Sequence, residues 1–407
     1  MRNYLLPTVL FLLLLQVMAC AATDDKTARN NTEPEQTAPV QEEKEAITPA
    51  AGRTDLYLPM LQGKRVAVIV NQTSIADSLH LVDLLLQEGV DLKKIMVPEH
   101  GFRGTADAGE QVQDGNDPTT GLPVVSLYGK NKKPSAGVLA DVDVVLFDLQ
   151  DVGVRFYTYI STMHYAMEAC AENGKQMIVL DRPNPNGMYV DGPILKKKYK
   201  SFIGMHPIPV LHGLTVGELA KMINGEGWLE GGLTCELEVI PVGGYSHERT
   251  YSLPVKPSPN LPNDLSIALY PSLCFFEGTP ISVGRGTTHP FQVIGYPEET
   301  YGDFTFTPES MPGMAKNPKL EGKTCYGIDY RQASNTLKGL DLSPLVDYYS
   351  KWNGNGKFFT DFFNLLAGTN QLSQQIEQGF TMEDIRLSWA EELKSYKAMR
   401  EKYLIYP

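Results

Sequence analysis

The feature that most constrains the fold is a series of short apolar runs, each of which stops abruptly at polar residues. Runs of this kind predict buried β-strands at residues 65–70, 95–97, 142–149 and 176–180. An amphipathic helix is predicted at residues 80–92, between the first two strands, and completes a right-handed βαβ unit. The pattern therefore predicts an α/β fold with a Rossmann-like, doubly wound, mostly parallel sheet.

Polar and charged side chains follow three of these strands at the point where each strand ends. After the strand at 95–97, the segment P-E-H-G-F-R-G places Glu99, His100 and Arg103 beside glycines that allow a tight turn. Loops at the carboxyl ends of parallel strands converge on one crevice, where open α/β sheets bind ligands. The other two strands add further candidate binding residues: Asp148, Gln150, Asp151, Arg155, Tyr157, Asp181, Arg182 and Asn184.

The residue types in this predicted cleft suit a sugar-like ligand. Amides, tyrosines and carboxylates hydrogen-bond a polyhydroxylated molecule, and arginines bind a carboxylate or phosphate on it. Paired carboxylates suggest glycoside hydrolysis, in which one acid protonates the leaving oxygen. A metal site is a weaker alternative, because its ligands would follow no metal-binding spacing. Its ligands would be His100, Glu99 and either Asp148 or Asp151.

The character of the sequence changes near Asn260. The segment P-S-P-N-L-P ends there, and F-E-G-T-P-I-S-V-G-R-G-T-T-H-P-F follows, both with many turn-forming residues. We predict a Rossmann-like catalytic domain at residues 54–260 and a smaller α/β domain at 261–407 that completes the cleft. Candidate binding residues in this region are Asn260, Glu277, Arg285 and His289.

Several of these candidates also have purely structural explanations. Asp151 and Arg155 could pair with each other instead of binding a ligand. Asp181 could cap the turn at Asn184, and His289, which precedes a proline, could serve only to fix a turn.

Two helices can be placed from local signals. Thr215 and Glu218 have the spacing of a capping box, which predicts a helix that begins after Thr215. The last helix is predicted at residues 382–403. Its apolar stripe is expected to be core packing and consists of Ile385, Trp389, Leu393 and Tyr396. The cysteines of the domain show no paired spacing and are expected to be buried thiols: Cys170, Cys235, Cys274 and Cys325.

Several classes of cofactor and partner are excluded by the motifs and the charge. No G-x-G-x-x-G follows the first strand, and there is no Walker motif, H-E-x-x-H or G-x-S-x-G. We therefore expect neither a cofactor nor a metal. The formal net charge of -12 argues against nucleic acid as a partner.

The first twenty residues are typical of a bacterial lipoprotein signal. Arg2 precedes an apolar run at residues 4–17, and Cys20 follows a small residue. We expect Cys20 to be lipidated, with a plain secretory signal as the alternative. Residues 21–53 contain few aromatic or branched apolar residues and are predicted to be a disordered tether. These features predict a protein of the bacterial cell envelope, anchored to a membrane on the periplasmic side or in the outer membrane.

Taken in order, the motifs resemble the exo-β-N-acetylmuramidase family, long catalogued as a domain of unknown function. The similarity runs from about Leu61 to the C-terminal Y-L-I-Y. It implies a Rossmann-like domain, a smaller α/β domain and an active site in the cleft between them. It also implies release of N-acetylmuramic acid from the non-reducing end of peptidoglycan fragments. The motifs that carry the resemblance are P-E-H-G-F-R-G with A-G-E, D-L-Q-D-V-G-V-R-F-Y-T-Y, D-R-P-N-P-N-G, P-S-P-N-L-P and F-E-G-T-P-I-S-V-G-R-G-T-T-H-P-F.

The resemblance places the catalytic acid/base on Glu99. Glu110 and His100 are our further catalytic candidates. The partner of Glu99 stays open between Glu110, Glu277, Asp148 and the acetamido group of the substrate itself. N-acetylmuramic acid carries a lactyl carboxylate, so a locally positive cleft is expected. Two positions depart from the family pattern, because Leu261 continues P-S-P-N and His289 stands where another basic residue is common.

Two other functions remain open at this level. One is a non-catalytic envelope lipoprotein that binds peptidoglycan fragments. The other is a metal-dependent amidase or esterase of the envelope, whose activity a chelator would abolish.

Overall fold

The computed structural model describes residues 45–99, 101–102, 114–354 and 356–407. The chain from Lys44 to Pro407 forms one compact unit. Cys20, the predicted signal and most of the predicted tether lie outside the described residues. In the part of the chain that the structure describes, no helix combines the length and apolarity needed to cross a membrane.

A seven-stranded sheet organises the first half of the chain. Its six long strands are parallel, and only the short β5 runs antiparallel to its neighbour. The strands lie in the order β5-β6-β4-β1-β7-β8-β9, so the chain builds outward from β1 and then returns to build the other side. This order confirms the predicted doubly wound, Rossmann-like sheet. The strands are β1 (Arg65–Val70), β4 (Asp91–Val97), β5 (Gly115–Asn116), β6 (Pro123–Ser126), β7 (Val144–Asp148), β8 (Gln176–Leu180) and β9 (Glu236–Ile240).

Helices cover both faces of this sheet, because its strands are apolar on both sides. Val66, Val68 and Val70 of β1 pack in one buried cluster, and Ala67 and Ile69 pack in another on the opposite face. A small hairpin, β2 (Ile75–Ala76) and β3 (Leu79–His80), follows β1. The flanking helices are α1 (Thr54–Leu61) and α2 (Leu81–Gln87) on one face, with α3 (Ala136–Leu139), α4 (Tyr159–Glu172) and α5 (Val216–Gly225) on the other.

The C-terminal part is a smaller α/β assembly around an antiparallel sheet in the order β10-β12-β11. Its core is continuous with the buried cluster on the α4 side of the large sheet. This single cluster contains both Phe147 of β7 and Phe276 of the C-terminal part. The exact division at Asn260 stays a prediction. The elements are α6 (Asp264–Leu273), β10 (Val293–Tyr296), β11 (Phe304–Phe306), β12 (Cys325–Asp329), α7 (Ser343–Ser350), α8 (Asp361–Ala367), α9 (Gln371–Glu377), α10 (Met382–Leu387) and α11 (Ala390–Arg400).

Several predictions that were made from short sequence patterns are confirmed. Thr215 and Glu218 form a reciprocal capping box at the start of α5. Ile385, Trp389 and Tyr396 are buried, as expected for packing residues, although the predicted helix is divided into α10 and α11. The cysteines of the domain are buried and free, as expected: Cys170, Cys235, Cys274 and Cys325.

The structure also differs from the sequence-based predictions in α2 and at residues 45–53. The helix predicted at residues 80–92 corresponds to α2, which ends at Gln87. It ends there because Gly89 adopts a left-handed conformation (φ 72°) and Asp91 already opens β4. Residues 45–53, predicted to belong to the tether, are packed against the domain. Thr48 pairs with Gly243, and Ala50 and Ala51 are fully buried. The segment docks on residues that follow β8 and β9, where Ala50 N donates to Asp181 O at 3.0 Å.

Candidate active site

A cavity of about 260 Å³ lies beyond the carboxyl ends of β4, β6 and β7. One wall comes from the loops that follow these strands, and the opposite wall comes from α6, α8 and the segment between them. The cavity therefore occupies the crevice where an open α/β sheet binds ligands. Its lining residues are Glu99, Tyr128, Phe156, Tyr157, Thr158, Tyr159, Phe202, Ile203, Ser258, Asn260, Leu261, Tyr270, Cys274, Glu277, Arg285, Phe291, Phe362 and Leu366.

Glu99 enters the cavity from the turn that follows β4. The turn is closed by a hydrogen bond from Gly101 N to Pro98 O, and Gly101 has φ 71°, a value that favours glycine. The Thr158 hydroxyl donates to Glu99 Oε2 at 2.8 Å. Burial, together with the charge of Glu99 and a hydrogen bond to it, raises the pKa of the Tyr128 hydroxyl. The Glu99 carboxylate is thus held by hydroxyl groups from the loops that follow β6 and β7.

Glu277 and Arg285 form an ion pair on the opposite wall. Arg285 Nε donates to Glu277 Oε1, and its Nη2 donates to Oε2 at 3.1 Å. The guanidinium also packs 5.0 Å from the centre of the Phe291 ring. Burial lowers the pKa of Arg285, but the Glu277 carboxylate outweighs burial and the net shift is upward. The guanidinium therefore stays charged.

The described wall of the cavity carries two carboxylates, Glu99 and Glu277, and one guanidinium, Arg285. The expected excess of positive charge is thus not found among the described lining residues, although Arg103 lies outside them. Two of the four arginines predicted for the cleft, Arg155 and Arg182, are instead buried in the protein.

Asn260 and Tyr157, both predicted binding residues, lie on the cavity wall. Asn260 Nδ2 donates to Met314 O at 2.6 Å, which fixes the orientation of the amide. The Tyr157 hydroxyl donates to Pro257 O at 2.8 Å. Both bonds join the P-S-P-N segment to the elements around it, so this segment is built into the wall.

Asp148 and Arg182 were predicted to bind substrate, but the structure places them in a buried ion pair away from the cavity wall. Asp148 is fully buried and Arg182 is 4% exposed. Arg182 Nε and Nη2 donate to the two carboxylate oxygens of Asp148 at 2.5 and 2.8 Å. Because both oxygens are occupied, the structure gives no support to Asp148 as a metal ligand or as the partner of Glu99. Among the described residues, no group of three potential metal ligands is found.

Arg155 and Gln150 are also structural in this arrangement. Arg155 is fully buried, and its Nη atoms donate to four carbonyl oxygens. Two of these carbonyls belong to the last residues of α8, so Arg155 joins the sheet to the C-terminal part. Burial lowers the pKa of Arg155 to about 9. The carbonyl acceptors of Arg155 are those of Pro193, Ile208, Leu366 and Ala367.

Gln150 also serves the structure, because its Nε2 donates to the carbonyl oxygens of Asp151 and Pro183, both at 2.8 Å.

Asp151 does not pair with Arg155, contrary to one explanation offered by the sequence. Its Oδ2 accepts a hydrogen bond from Gly153 N at 2.6 Å and lies 3.8 Å from His212 Nε2. Burial raises the pKa of Asp151 to about 7 and lowers the pKa of His212 to about 3. This buried pair lies away from the described cavity wall.

Asp181 anchors other elements instead of capping the turn at Asn184. Its Oδ2 accepts hydrogen bonds from the hydroxyls of Thr215 and Tyr406 at 2.7 and 2.6 Å. Burial raises the pKa of Asp181 to about 6. Asn184 fixes its own turn, since its Oδ1 accepts a hydrogen bond from Asn186 N at 2.8 Å. Both side chains lie outside the described lining of the cavity.

His289 is likewise absent from the described lining of the cavity. Its backbone N–H donates to Thr287 Oγ1 at 3.0 Å, and its carbonyl accepts from Gln292 N at 3.1 Å. Burial lowers its pKa. These contacts agree with a residue that fixes a turn.

Three predicted site residues, His100, Arg103 and Glu110, lie outside the described residues. The structure also adds lining residues that the sequence interpretation missed. Thr158 lies inside the Y-T-Y segment that drew attention to its neighbours, so its position was available as a signal. Phe362 belongs to α8, far along the chain, and no local pattern connects it with Glu99.

Family models and a curated protein both match most of this chain, and they name the same enzyme family. The family described as exo-beta-N-acetylmuramidase NamZ, N-terminal, matches residues 66–265, and its C-terminal counterpart matches residues 268–406. The peptidoglycan beta-N-acetylmuramidase NamZ of Bacillus subtilis (strain 168) is 40% identical over 372 residues, which cover 86% of this chain and 89% of that protein.

Two crystal structures of DUF1343 family proteins from Bacteroides fragilis have the same fold. One is 45% identical with a TM-score of 0.82, and the other is 30% identical with a TM-score of 0.75. Each match covers 89% of this chain and 99% of the solved chain.

Proposed function

Because the chain belongs to the NamZ exo-beta-N-acetylmuramidase family, we propose that it is an exo-acting glycoside hydrolase. It releases N-acetylmuramic acid from the non-reducing end of peptidoglycan fragments. The observation that carries this assignment is the position of Glu99, the acidic residue of the family's P-E-H-G motif. It lies on the wall of a cavity at the carboxyl edge of the sheet.

Glu99 is the general acid/base of the proposed reaction. It protonates the glycosidic oxygen as the bond to the leaving sugar breaks. Glu277 is the other carboxylate on the described wall, and Arg285 engages both of its oxygens. This pairing favours Glu110 or the substrate's own acetamido group as the partner of Glu99, and gives Glu277 the role of holding Arg285.

Arg285 is the group proposed to recognise the substrate carboxylate. A guanidinium suits a planar carboxylate, and Glu277 keeps this one charged and oriented. Asn260, Tyr157 and Arg103 complete the proposed binding residues. The cavity volume of about 260 Å³ is small beside the roughly 300–1,000 Å³ of typical ligand pockets, which suits one terminal sugar better than a polymer.

We propose that the protein acts in the bacterial cell envelope as a lipoprotein. The support is the sequence alone: an apolar run at residues 4–17 that ends shortly before Cys20. Lipidation of Cys20 would hold the enzyme at a membrane, where peptidoglycan-derived saccharides are available as substrate.

Two chromogenic glycosides test the proposed activity. The chain from residue 21 onward is incubated with an aryl β-N-acetylmuramide and with the matching β-N-acetylglucosaminide, which lacks the lactyl group. We expect hydrolysis of the muramide alone, because only this sugar offers a carboxylate to Arg285. Binding of N-acetylmuramic acid without hydrolysis of either glycoside would instead indicate a non-catalytic lipoprotein, and activity lost with chelator would indicate a metal enzyme.

A further inference from the structure

Thr158 occupies the N-cap position of α4 but does not cap the helix. Threonine at this position normally accepts a hydrogen bond from an amide in the first turn. Within the described chain, the Thr158 side chain makes no such bond. Its hydroxyl instead donates to Glu99 Oε2 at 2.8 Å, across 59 residues of sequence. The hydroxyl therefore serves the carboxylate and not the helix.

The topology of the sheet explains why this contact is possible. Glu99 follows β4, which lies between β6 and β1, while Thr158 follows β7 on the far side of β1. Tyr128, which follows β6, interacts with the same carboxylate from the other side. The Glu99 side chain is thus held from both directions by loops at the same edge of the sheet.

We propose that Thr158 is a positioning residue for Glu99. By donating to Oε2, its hydroxyl fixes the rotation of the carboxylate in the orientation that exchanges a proton with the glycosidic oxygen. The inference rests on the proposed function, because it assigns Thr158 a role through Glu99. A misplaced acid slows the chemical step and leaves substrate binding nearly unchanged.

Three variants separate positioning from a structural role. Thr158→Val removes the hydroxyl and keeps the branched shape, whereas Thr158→Ser keeps the hydroxyl. Thr162→Val is the matched control: it makes the same change one turn later in α4, where the hydroxyl is buried and has no hydrogen-bond partner among the described residues.

We expect Thr158→Val to lower kcat for a muramic acid disaccharide, whose leaving sugar needs protonation, by about 10- to 100-fold, the effect of losing one hydrogen bond to a charged group. KM should change less than about threefold, since binding does not depend on this contact. Thr158→Ser should retain most of the wild-type kcat, and Thr162→Val all of it. No helix cap is lost in Thr158→Val, so any fall in its thermal midpoint should be small and should be reversed, together with kcat, in Thr158→Ser.

The possible failures can be told apart. A wild-type protein that does not cleave the muramide refutes the proposed function, and this inference with it. An active wild type whose kcat is unchanged by Thr158→Val overturns the inference alone. The inference also fails if Thr158→Val lowers the thermal midpoint together with kcat and Thr158→Ser does not restore them, because the side chain would then be structural.

Discussion

Replacing Arg182 with methionine should destabilise the protein by about 3 to 5 kcal/mol, the usual effect of breaking a buried ion pair. The structure puts Arg182 in this class, since it is 4% exposed and its partner Asp148 is fully buried. Both oxygens of Asp148 accept from the guanidinium, at 2.5 and 2.8 Å. Methionine fills much of the same space but leaves the carboxylate without a partner and without water.

The size of the effect depends on the charge that is left behind and not on the pair itself. Replacing a buried pair by neutral groups of similar volume is often close to neutral in stability. The double variant Asp148→Asn with Arg182→Met should therefore recover most of the loss. The bond from Arg182 Nη2 to Ile75 O, at 3.2 Å, is lost in both variants and sets a limit on that recovery.

Urea unfolding followed by the fluorescence of the three tryptophans measures these differences. With a slope of about 3 kcal/mol/M, a loss of about 3 to 5 kcal/mol lowers the midpoint by about 1 to 1.7 M. Arg65→Met is the control, because Arg65 also binds both oxygens of its partner Asp143 but at the exposed start of β1. Solvent screens that pair, so its loss should have a much smaller effect.

A stabilising role of the buried pair is refuted if Arg182→Met lowers the midpoint no more than Arg65→Met does. It is also refuted if the double variant is as unstable as the single one. In either case the pair would not be a structural element, and a direct role of Asp148 and Arg182 in substrate binding would again explain their position near the sheet edge.

Two further predictions concern Asp151 and Cys20. Burial raises the pKa of the Asp151 carboxyl from 3.8 to about 7. Between these two pH values the folded protein keeps a proton that the unfolded chain has lost. The free energy of unfolding therefore falls as pH rises from about 4 to about 7. Asp151→Asn should therefore be more stable than the wild type at pH 8, by up to about 4 kcal/mol, and gain nothing at pH 4; a gain in thermal midpoint that is equal at both pH values would contradict this. Cys20→Ser should remove fatty-acid labelling and release the protein from the membrane fraction, whereas an unlabelled wild type would disprove lipidation.

The fold was largely predictable because its signals are local. β1 and β8 were predicted at their observed bounds, since a parallel strand buried on both faces is apolar along nearly its whole length, here at every position after the first. The start of α5 was predicted from Thr215 and Glu218, whose contact spans only three residues. Short-range patterns of this kind do not depend on the rest of the chain.

The candidate site was less predictable, because many polar residues lie at the carboxyl ends of the strands and only some of them line the cavity. Asp148 ends β7, and Glu99 and Arg155 follow strands at the same edge, yet only Glu99 lines the described cavity. What separates them is a partner distant in sequence: Arg182 for Asp148, and the carbonyl of Leu366, 211 residues away, for Arg155. A single sequence carries no signal for such pairings.

The most direct test of the account is the rate at which Glu99→Gln cleaves two muramides that differ only in the leaving group. One is a peptidoglycan-type disaccharide, whose leaving sugar needs protonation, and the other is an aryl muramide, whose leaving group needs it far less. The account predicts that Glu99→Gln lowers kcat/KM for the disaccharide by about 100-fold or more and for the aryl muramide much less. A variant that releases N-acetylmuramic acid from the disaccharide at the wild-type rate would contradict it.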